Sequence, residues 1–219
     1  NEDGWVDLIC FDFPGKEVYW FENPAGVETL WKRYLIDSIA SNESPMMVDV
    51  DGNGKMDLVY GNEKLGQMLW VNATVKNKNV TWKRNPISEP NSKGIGLFAH
   101  GLGWGDINGD GIKDVMIRGG WWEAPKDMKT SPWKFHEEDL GESCAQMLTY
   151  DFDGDGDTDV VSSSAHEYGI WWYEQVMDKD KKSSFITHTI DSTFSESHSL
   201  ILQDVNKDGL PDLITGKRF

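Results

Sequence analysis

The nine residues Asp151-Phe-Asp-Gly-Asp-Gly-Asp-Thr-Asp159 decide the fold of this 219-residue chain. Oxygen-bearing side chains stand at positions 1, 3, 5 and 9 of the stretch, and the backbone carbonyl of position 7 adds another oxygen. Glycine at position 6 permits the positive φ that turns the chain around an ion. Because Ca²⁺ prefers six to eight oxygen ligands, the stretch predicts a calcium-binding loop.

The same loop recurs along the chain. Three further complete copies read Asp49-Val-Asp-Gly-Asn-Gly-Lys-Met-Asp57, Asp106-Ile-Asn-Gly-Asp-Gly-Ile-Lys-Asp114 and Asp204-Val-Asn-Lys-Asp-Gly-Leu-Pro-Asp212. The first aspartates of successive copies are 57, 45 and 53 residues apart. A fifth copy, Asn1-Glu-Asp3-Gly-Trp-Val-Asp7, matches from the third position onward. A repeat of this length is typical of a four-stranded propeller blade, which spans roughly 40–50 residues.

The repeat therefore predicts four complete Ca²⁺ sites and a fifth, truncated one. Residues at position 7 contribute their backbone carbonyls, and the others contribute side-chain oxygens. The predicted ligands are Asp49, Asp51, Asn53, Lys55 and Asp57; Asp106, Asn108, Asp110, Ile112 and Asp114; Asp151, Asp153, Asp155, Asp157 and Asp159; Asp204, Asn206, Asp208, Leu210 and Asp212; and Asn1, Asp3 and Asp7.

Two other interpretations of the loop are weaker. A single Asp/Asn/Gly cluster could be an Asx-rich turn, but five recurrences argue against that for the set. An EF-hand loop needs a bidentate glutamate at position 12 and two flanking helices. Here position 12 belongs to an outgoing strand and carries Tyr60, Ile117, Ser162 or Thr215.

The segments between the loops predict the remaining strands of each blade. Short apolar segments flank each loop, and an aromatic third strand recurs as Tyr19-Trp-Phe-Glu, Met68-Leu-Trp-Val-Asn, Trp121-Trp-Glu and Trp171-Trp-Tyr-Glu. A fourth strand begins at Trp31-Lys-Arg-Tyr, Trp82-Lys-Arg-Asn, Trp133-Lys-Phe-His or Phe185-Ile-Thr-His. No helical period appears, so the chain is predicted to be all-β. The tryptophans could stack on sugars, but packing between blades is the favoured interpretation.

These patterns predict one propeller region over residues 1–219, with a calcium loop between the first two strands of each blade. We expect a partial blade at 1–40, complete blades at 45–90, 99–141 and 145–192, and a partial blade at 198–219. The chain is predicted to be a fragment of a propeller of about seven blades, with the remaining blades expected in the parent chain. A closed five-bladed ring is the second choice.

Charge and composition limit the kinds of partner that this chain is expected to have. The formal charge is −16, but thirteen of the carboxylates stand at positions 1, 3, 5 and 9 of the four complete loops, where bound cations would offset much of their charge. Acidity therefore indicates metal binding, and no nucleic-acid partner is expected. No apolar run approaches the roughly 18 residues of a membrane span, and the start of the sequence has no signal-peptide pattern. Cys10 and Cys144 could pair, but two buried free thiols are the favoured interpretation.

The loops and the Trp-Phe-Glu-Asn-Pro and Trp-Trp-Tyr-Glu strands resemble the FG-GAP or VCBS repeats, whose integrin-like propellers carry calcium in this loop. The resemblance covers essentially the whole chain and is similar in particular to secreted microbial members. It implies an extracellular or periplasmic location, where calcium is plentiful.

A second group of residues is predicted to meet on the rim opposite the calcium loops. The position six residues before each loop carries Glu43, His100, Ala145 or His198. After the second strand the same rim receives Asn62 and Glu63, Arg118 and Trp121, His166 and Glu167, then Lys217 and Arg218. We expect a ligand-binding pocket formed by His100, Arg118, Trp121, His166, Glu167, His198, Lys217 and Arg218, although a polar rim without a function would also bring such residues together.

The rim residues allow two kinds of chemistry. The three histidines could ligate a transition metal such as zinc or iron, with Glu167 as a fourth ligand or base. Alternatively His100, His166, Glu167 or His198 could act as acid and base while Arg118, Lys217 or Arg218 holds an anionic oxygen. The region from His100 to Glu123 also resembles the propeller domain of fungal aldos-2-ulose dehydratase, which implies sugar lyase chemistry, although this chain shows no cupin domain.

Three functions are therefore considered. The leading one is a calcium-binding extracellular propeller that binds a carbohydrate or another extracellular ligand at the rim opposite the calcium loops. The second is a sugar lyase or dehydratase with its site on that rim. The third is a purely structural repeat array.

Overall fold

The computed structural model describes residues 1–142, 144, 146–179 and 183–218. The chain divides into two compact units, Asn1–Ala99 and His100–Phe219. All regular elements in the described residues are strands, and no helix occurs among them. The predicted all-β fold with four-stranded blade sheets is confirmed, whereas the number of blades and the boundaries between them stay predictions.

The first unit holds two antiparallel sheets. The first sheet has the order β1-β2-β3, with strands β1 Leu8–Phe11, β2 Lys16–Glu22 and β3 Lys32–Ala40. The second has the order β4-β5-β6-β7, with strands β4 Met46–Val48, β5 Asp57–Asn62, β6 Gln67–Lys76 and β7 Asn79–Pro86.

The second unit holds three sheets. The third sheet is formed by β8 Gly103–Gly105, β9 Asp114–Ile117, β10 Gly120–Glu123 and β11 Lys134–Glu137. The fourth is formed by β12 Leu148–Tyr150, β13 Asp159–Ser163, β14 Tyr168–Met177 and β15 Ser183–Ser195. The fifth pairs β16 Ser197–Gln203 with β17 Asp212–Lys217. Every strand pair is antiparallel and follows chain order.

The second strand of each four-stranded sheet lies deepest. Strands β5, β9 and β13 are buried over their whole length, whereas the outer strand β7 alternates between half-buried and exposed residues. A strand covered on both faces needs a continuous apolar run, and Leu58-Val-Tyr and Val160-Val supply it. The acidic loop that precedes each of these strands is therefore anchored in the core.

Large side chains fill the space between neighbouring sheets within each unit. In the first unit, Val18 of the first sheet packs with Leu58 and Tyr60 of the second, and the Phe11 and Tyr60 rings meet edge to face at 5.5 Å. In the second unit, the core between the third and fourth sheets includes Met116, Trp121, Cys144, Met147, Val160 and Tyr173. Burial of apolar area between sheets supplies most of the stabilisation.

In each of the first four sheets, a tryptophan pairs across the sheet with a polar residue of the last strand. Trp121 stacks on His136 with ring centroids 4.1 Å apart, and His136 Nε2 lies 2.7 Å from the Glu123 carboxylate. That hydrogen bond lowers the pKa of Glu123. The equivalent groups elsewhere are Trp20, Tyr34 and Glu22; Trp172, His188 and Glu174; and Trp70, Asn85 and Asn72.

Of these tryptophans, Trp172 is half-buried and the other three are buried, which agrees with packing between blades rather than sugar stacking. Trp5 and Trp31 are exposed and take no part in the core.

Both cysteines are free. Cys144 is buried, but the expectation of two buried thiols is wrong for Cys10, which is exposed on the outer strand β1. Burial raises the pKa of the Cys144 thiol to about 12.

A buried carboxylate links the two sheets of the first unit. The Asp37 side chain is buried and accepts a hydrogen bond from the Tyr60 hydroxyl at 2.6 Å. The Arg84 guanidinium donates Nε to the same carboxylate at 2.7 Å and forms a second bond through Nη2. The bidentate pair satisfies a charge that would otherwise be costly to bury.

The variant Asp37→Ala is expected to lower the free energy of unfolding by about 2–3 kcal/mol, because it leaves the Tyr60 hydroxyl and the half-exposed Arg84 without their acceptor. The free energy of unfolding is measured by urea denaturation of the unmodified protein and of the variant. The control Glu28→Ala removes an exposed carboxylate and should change stability by less than about 0.5 kcal/mol. Equal stability of the two variants would contradict this account.

Candidate metal and ligand sites

The acidic loops have one shared backbone geometry. The carboxylate at position 1 accepts the amide of position 6 in every complete copy, at 2.8 Å from Gly54 to Asp49 and 3.1 Å from Gly156 to Asp151. The side chain at position 5 accepts the amide of position 7, as from Lys55 to Asn53 at 2.8 Å. The corresponding bonds in the other loops are those of Gly111 to Asp106, Ile112 to Asp110, Gly209 to Asp204 and Leu210 to Asp208.

The truncated copy has the same turn. Asn1 Oδ1 accepts the amide of Asp3 at 3.1 Å, and Asp3 accepts the amide of Trp5 at 2.9 Å. Both bonds follow the pattern of the loop from Asp151 to Asp159, in which positions 3 and 5 each accept an amide two residues on. The aspartate at position 9, Asp7, accepts the amide of Asn23 at 2.9 Å.

The aspartate at position 9 is the buried part of each complete loop in the second, third and fourth sheets. Asp159 accepts the amide of Phe152 at 3.0 Å, within its own loop, and the amide of Gln175 on β14 at 2.8 Å. Asp114 likewise accepts the amides of Ile107 and of Ala124. This residue therefore fastens the loop to the third strand of the sheet.

Negative charge crowds these loops. Burial raises the pKa of Asp57 to about 6, and the neighbouring carboxylates Asp51 and Asp49 act in the same direction. Carboxylate oxygens of Asp49, Asp51 and Asp57 lie within 4.8 Å of one another. Those of Asp151, Asp153 and Asp159 do the same. In the other two complete loops an asparagine replaces the aspartate at position 3, so fewer carboxylates meet there.

The donor set fits a hard divalent cation. All side-chain donors in the loops are oxygens, and glycine at position 6 has φ of 82° in Gly54 and 98° in Gly156, as a turn around an ion requires. A cation between the carboxylates would offset their mutual repulsion. Ligation by the predicted backbone carbonyls stays a prediction.

Three histidines come together in the second unit. Imidazole nitrogens of His100, His166 and His198 lie within 4.8 Å of one another. Their ring centroids are 4.7 Å apart for His100 and His166, 5.1 Å for His166 and His198, and 5.5 Å for His100 and His198. His166 is exposed, while the other two are half-buried. We call this group the histidine cluster.

Each histidine is placed by a different local feature. His198 lies at a β-bulge, because Ser197 pairs with Lys217 and Ser199 pairs with Gly216, which leaves His198 as the extra residue of β16. Bulges re-aim a side chain out of the regular alternation of a strand. The chain before it is held by the Ser197 amide, which donates to the Ser164 carbonyl at 3.0 Å.

The other two histidines lie between strands. His166 lies between β13 and β14, where the Glu167 amide donates to Ser164 Oγ at 2.8 Å. His100 precedes Gly101, whose φ is 76° and whose missing side chain leaves room for the Cys144 sulfur. A Cβ at residue 101 would lie 2.3 Å from Cys144 Sγ, so this glycine is required by close approach as well as by conformation.

Other contacts occupy Trp121 and Arg118. Trp121 was predicted to bind ligand, but this is wrong, because its ring is buried in the core and stacked on His136. Arg118 is half-exposed and its guanidinium lies 4.0 Å from Glu142. Glu167 is exposed, and its carboxylate is not part of the histidine cluster.

The remaining predicted rim residues that the structure describes make local contacts. Lys217 is exposed, with Nζ 3.2 Å from Ser195 Oγ and 5.1 Å from the Phe194 ring centroid. Arg218 is exposed and its amide donates to the Glu196 carbonyl. In the first unit Asn62 is buried and serves the backbone, since it bonds Ile39 and Leu65. Ala145 lies outside the described residues.

Sequence reasoning missed the residues that shape the cluster. Gly101 and Cys144 meet only through packing, and no motif connects them. The bulge at His198 has no sequence signal beyond a histidine at an equivalent position of the repeat. The polar residues that pair with the tryptophans, in contrast, could have been found, because they stand at the fourth position of the repeated Trp-Lys-Arg-Tyr-like segments.

Blade sheets with an acidic loop between their first two strands define a repeat protein of the integrin-like propeller class. The chain belongs to the FG-GAP-like repeat family, whose pattern it matches over residues 1–60 and 151–215. Over 135 residues it is 29% identical to the T-cell immunomodulatory protein homolog of Plasmodium falciparum (isolate 3D7). The aligned region is 53% of this chain and 18% of that protein. The chain thus aligns with less than a fifth of this curated relative's length.

The comparisons confirm the predicted family. They leave the resemblance to aldos-2-ulose dehydratase as a prediction. Among the described residues, no helix is long and apolar enough to cross a membrane.

The variant Gly101→Ala is expected to lower the free energy of unfolding by about 2–4 kcal/mol, because alanine is strained at this φ and its Cβ meets the Cys144 sulfur. The measurement is denaturant unfolding, with Gly119→Ala, where a Cβ meets nothing within 4 Å, as the matched control. Adding Cys144→Ala should relieve part of the loss, so the double variant should be more stable than the sum of the single effects. Additive effects would contradict the proposed packing.

Proposed function

We propose that this chain is a calcium-binding extracellular propeller module that binds a ligand at the histidine cluster. The observation that carries the ligand site is the convergence of three imidazoles from three neighbouring sheets. Repeat geometry brings rim residues to the same end of the blades, but it does not require three imidazoles to meet at centroid distances of 4.7, 5.1 and 5.5 Å. The family supports an extracellular setting, in which calcium is abundant.

Calcium binding is supported by the repeated oxygen donors and by the crowding of carboxylates. The residues that would hold each ion are those predicted from the loops, with the aspartate at position 9 shared between the ion and the backbone of the sheet. Extracellular sites of this class bind calcium at about 10⁻⁴–10⁻³ M, so each loop would add about 1 kcal/mol at millimolar calcium. The bound ions would stabilise the fold.

A transition metal at the histidine cluster is the second part of the proposal. Neutral imidazole nitrogens suit Zn²⁺ and related ions, and three protein ligands with an open fourth position are typical of sites that bind or activate a ligand. When bound, such an ion would polarise a ligand oxygen. The sugar lyase hypothesis has less support, since Trp121 lies in the core and Glu167 lies outside the cluster.

Removal of calcium is expected to lower the melting temperature, because the loop carboxylates then repel one another without compensation. Calcium should restore the melting temperature more effectively than magnesium, which demands a stricter octahedral geometry. Differential scanning fluorimetry with chelator and re-added ions measures this.

The variant Asp153→Ala should reduce the calcium-dependent rise, whereas Asp127→Ala, an exposed aspartate outside the loops, should leave it unchanged. A melting temperature insensitive to the chelator would refute the calcium assignment.

The double variant His100→Ala/His198→Ala is expected to abolish zinc binding at the cluster and any glycan binding or turnover there, while the calcium-dependent rise in melting temperature persists. Zinc affinity is measured by calorimetric titration of the chelator-treated protein. His136→Ala/His188→Ala removes the same number of imidazoles elsewhere and should retain the zinc site. Unchanged zinc affinity and ligand binding in the first variant would leave the cluster without a role.

A further inference from the structure

The ligand class of the histidine cluster follows from its charge. Resting on the proposed metal site, we propose that the loaded cluster binds a carboxylate-bearing ligand, with a carboxylate oxygen at the coordination position that the three histidines leave open.

The cluster supplies no negative charge of its own to a bound cation. Its three donors are imidazoles, which ligate metals in their neutral form, and no carboxylate or thiolate belongs to the group among the described residues. A divalent ion there keeps its full charge of two. The acidic loops differ, since each brings at least three carboxylates to its ion. An anionic oxygen is therefore the ligand that the histidine cluster favours and the loops disfavour.

The open position is accessible. His166 is exposed and stands on a short turn, while His100 and His198 are half-buried. An ion held by all three would therefore be approached from the side of His166. Three nitrogen ligands leave one position of a tetrahedral zinc site for an incoming group.

A cationic side chain stands beside the cluster in the strand register. Lys217 pairs across the sheet with Ser197, the neighbour of His198, and no ion pair joins its ammonium to a carboxylate in the part of the chain that the structure describes. A long, exposed lysine side chain can turn toward an anion at modest cost.

Glu167 is the residue of this chain that could compete with an external carboxylate for the open coordination position. It follows His166 directly and its side chain is exposed, so it could turn toward a bound ion. Its amide is fixed by Ser164 Oγ, and its carbonyl accepts the amide of Glu196 at 2.9 Å. The carboxylate lies outside the cluster in the structure, which favours an external ligand at the open position.

The experiment measures ligand binding to the zinc-loaded protein by calorimetry, with galacturonate and galactose as a pair that differs in one carboxylate. Galacturonate is expected to bind at least about tenfold more tightly than galactose, since a charge-assisted contact to the ion is added. Acetate serves as the bare carboxylate. Binding of acetate at similar strength indicates that a small carboxylate suffices, and much tighter binding of galacturonate indicates an acidic saccharide.

Control variants distinguish the loss of zinc from the loss of the contact between Lys217 and the carboxylate. His100→Ala/His198→Ala should lose both zinc and galacturonate, and Lys217→Met should weaken galacturonate about threefold at unchanged zinc affinity. Lys134→Met, an exposed lysine on β11, should change neither. Glu167→Gln should leave galacturonate binding intact or strengthen it.

The outcomes distinguish this inference from the proposed function. Failure to bind zinc refutes the metal site itself and the inference with it. Zinc binding with equal affinity for galacturonate and galactose refutes the inference alone, as does galacturonate binding that persists without zinc. Binding of galacturonate only after Glu167→Gln would show that Glu167 fills the open position, which also overturns the inference.

Discussion

The aspartate that ends each acidic loop, which is buried in the second, third and fourth sheets, makes the interaction on which the rest of the structure depends. Its carboxylate accepts one amide from the start of the loop and, in Asp114 and Asp159, a second from the third strand of the sheet. A buried carboxylate without such donors would be strongly destabilising. The loop conformation, the register of the strands and the proposed ion site are therefore coupled through one side chain.

The same coupling explains why the two kinds of site differ. The acidic loops are local structures, formed by nine consecutive residues, and their last aspartate joins them to the sheet. The histidine cluster has no local structure in common, since its members stand before a glycine, on a turn and at a bulge. Calcium-dependent stability and ligand binding should accordingly respond to different substitutions.

Polar contacts between sheets supplement the apolar core in both units. In the first unit Asp37 holds Tyr60 and Arg84 of the next sheet. In the second unit Gln175 donates to the Ile107 carbonyl at 2.6 Å and accepts the Thr158 amide at 3.0 Å. These contacts fix the register between neighbouring sheets, because each is satisfied in one arrangement only.

The sequence by itself determined the all-β repeat fold, the family and the positions of the acidic loops. Those features depend on local chemistry, in which residues such as Asp151 and Gly156 act within a few positions of each other. Only the tertiary structure decided that Trp121 belongs to the core, that Cys10 is exposed and that the histidines meet while Glu167 remains outside. The reason is physical: contacts such as Gly101 with Cys144 join segments more than forty residues apart, and no local pattern records which distant side chains will pack together.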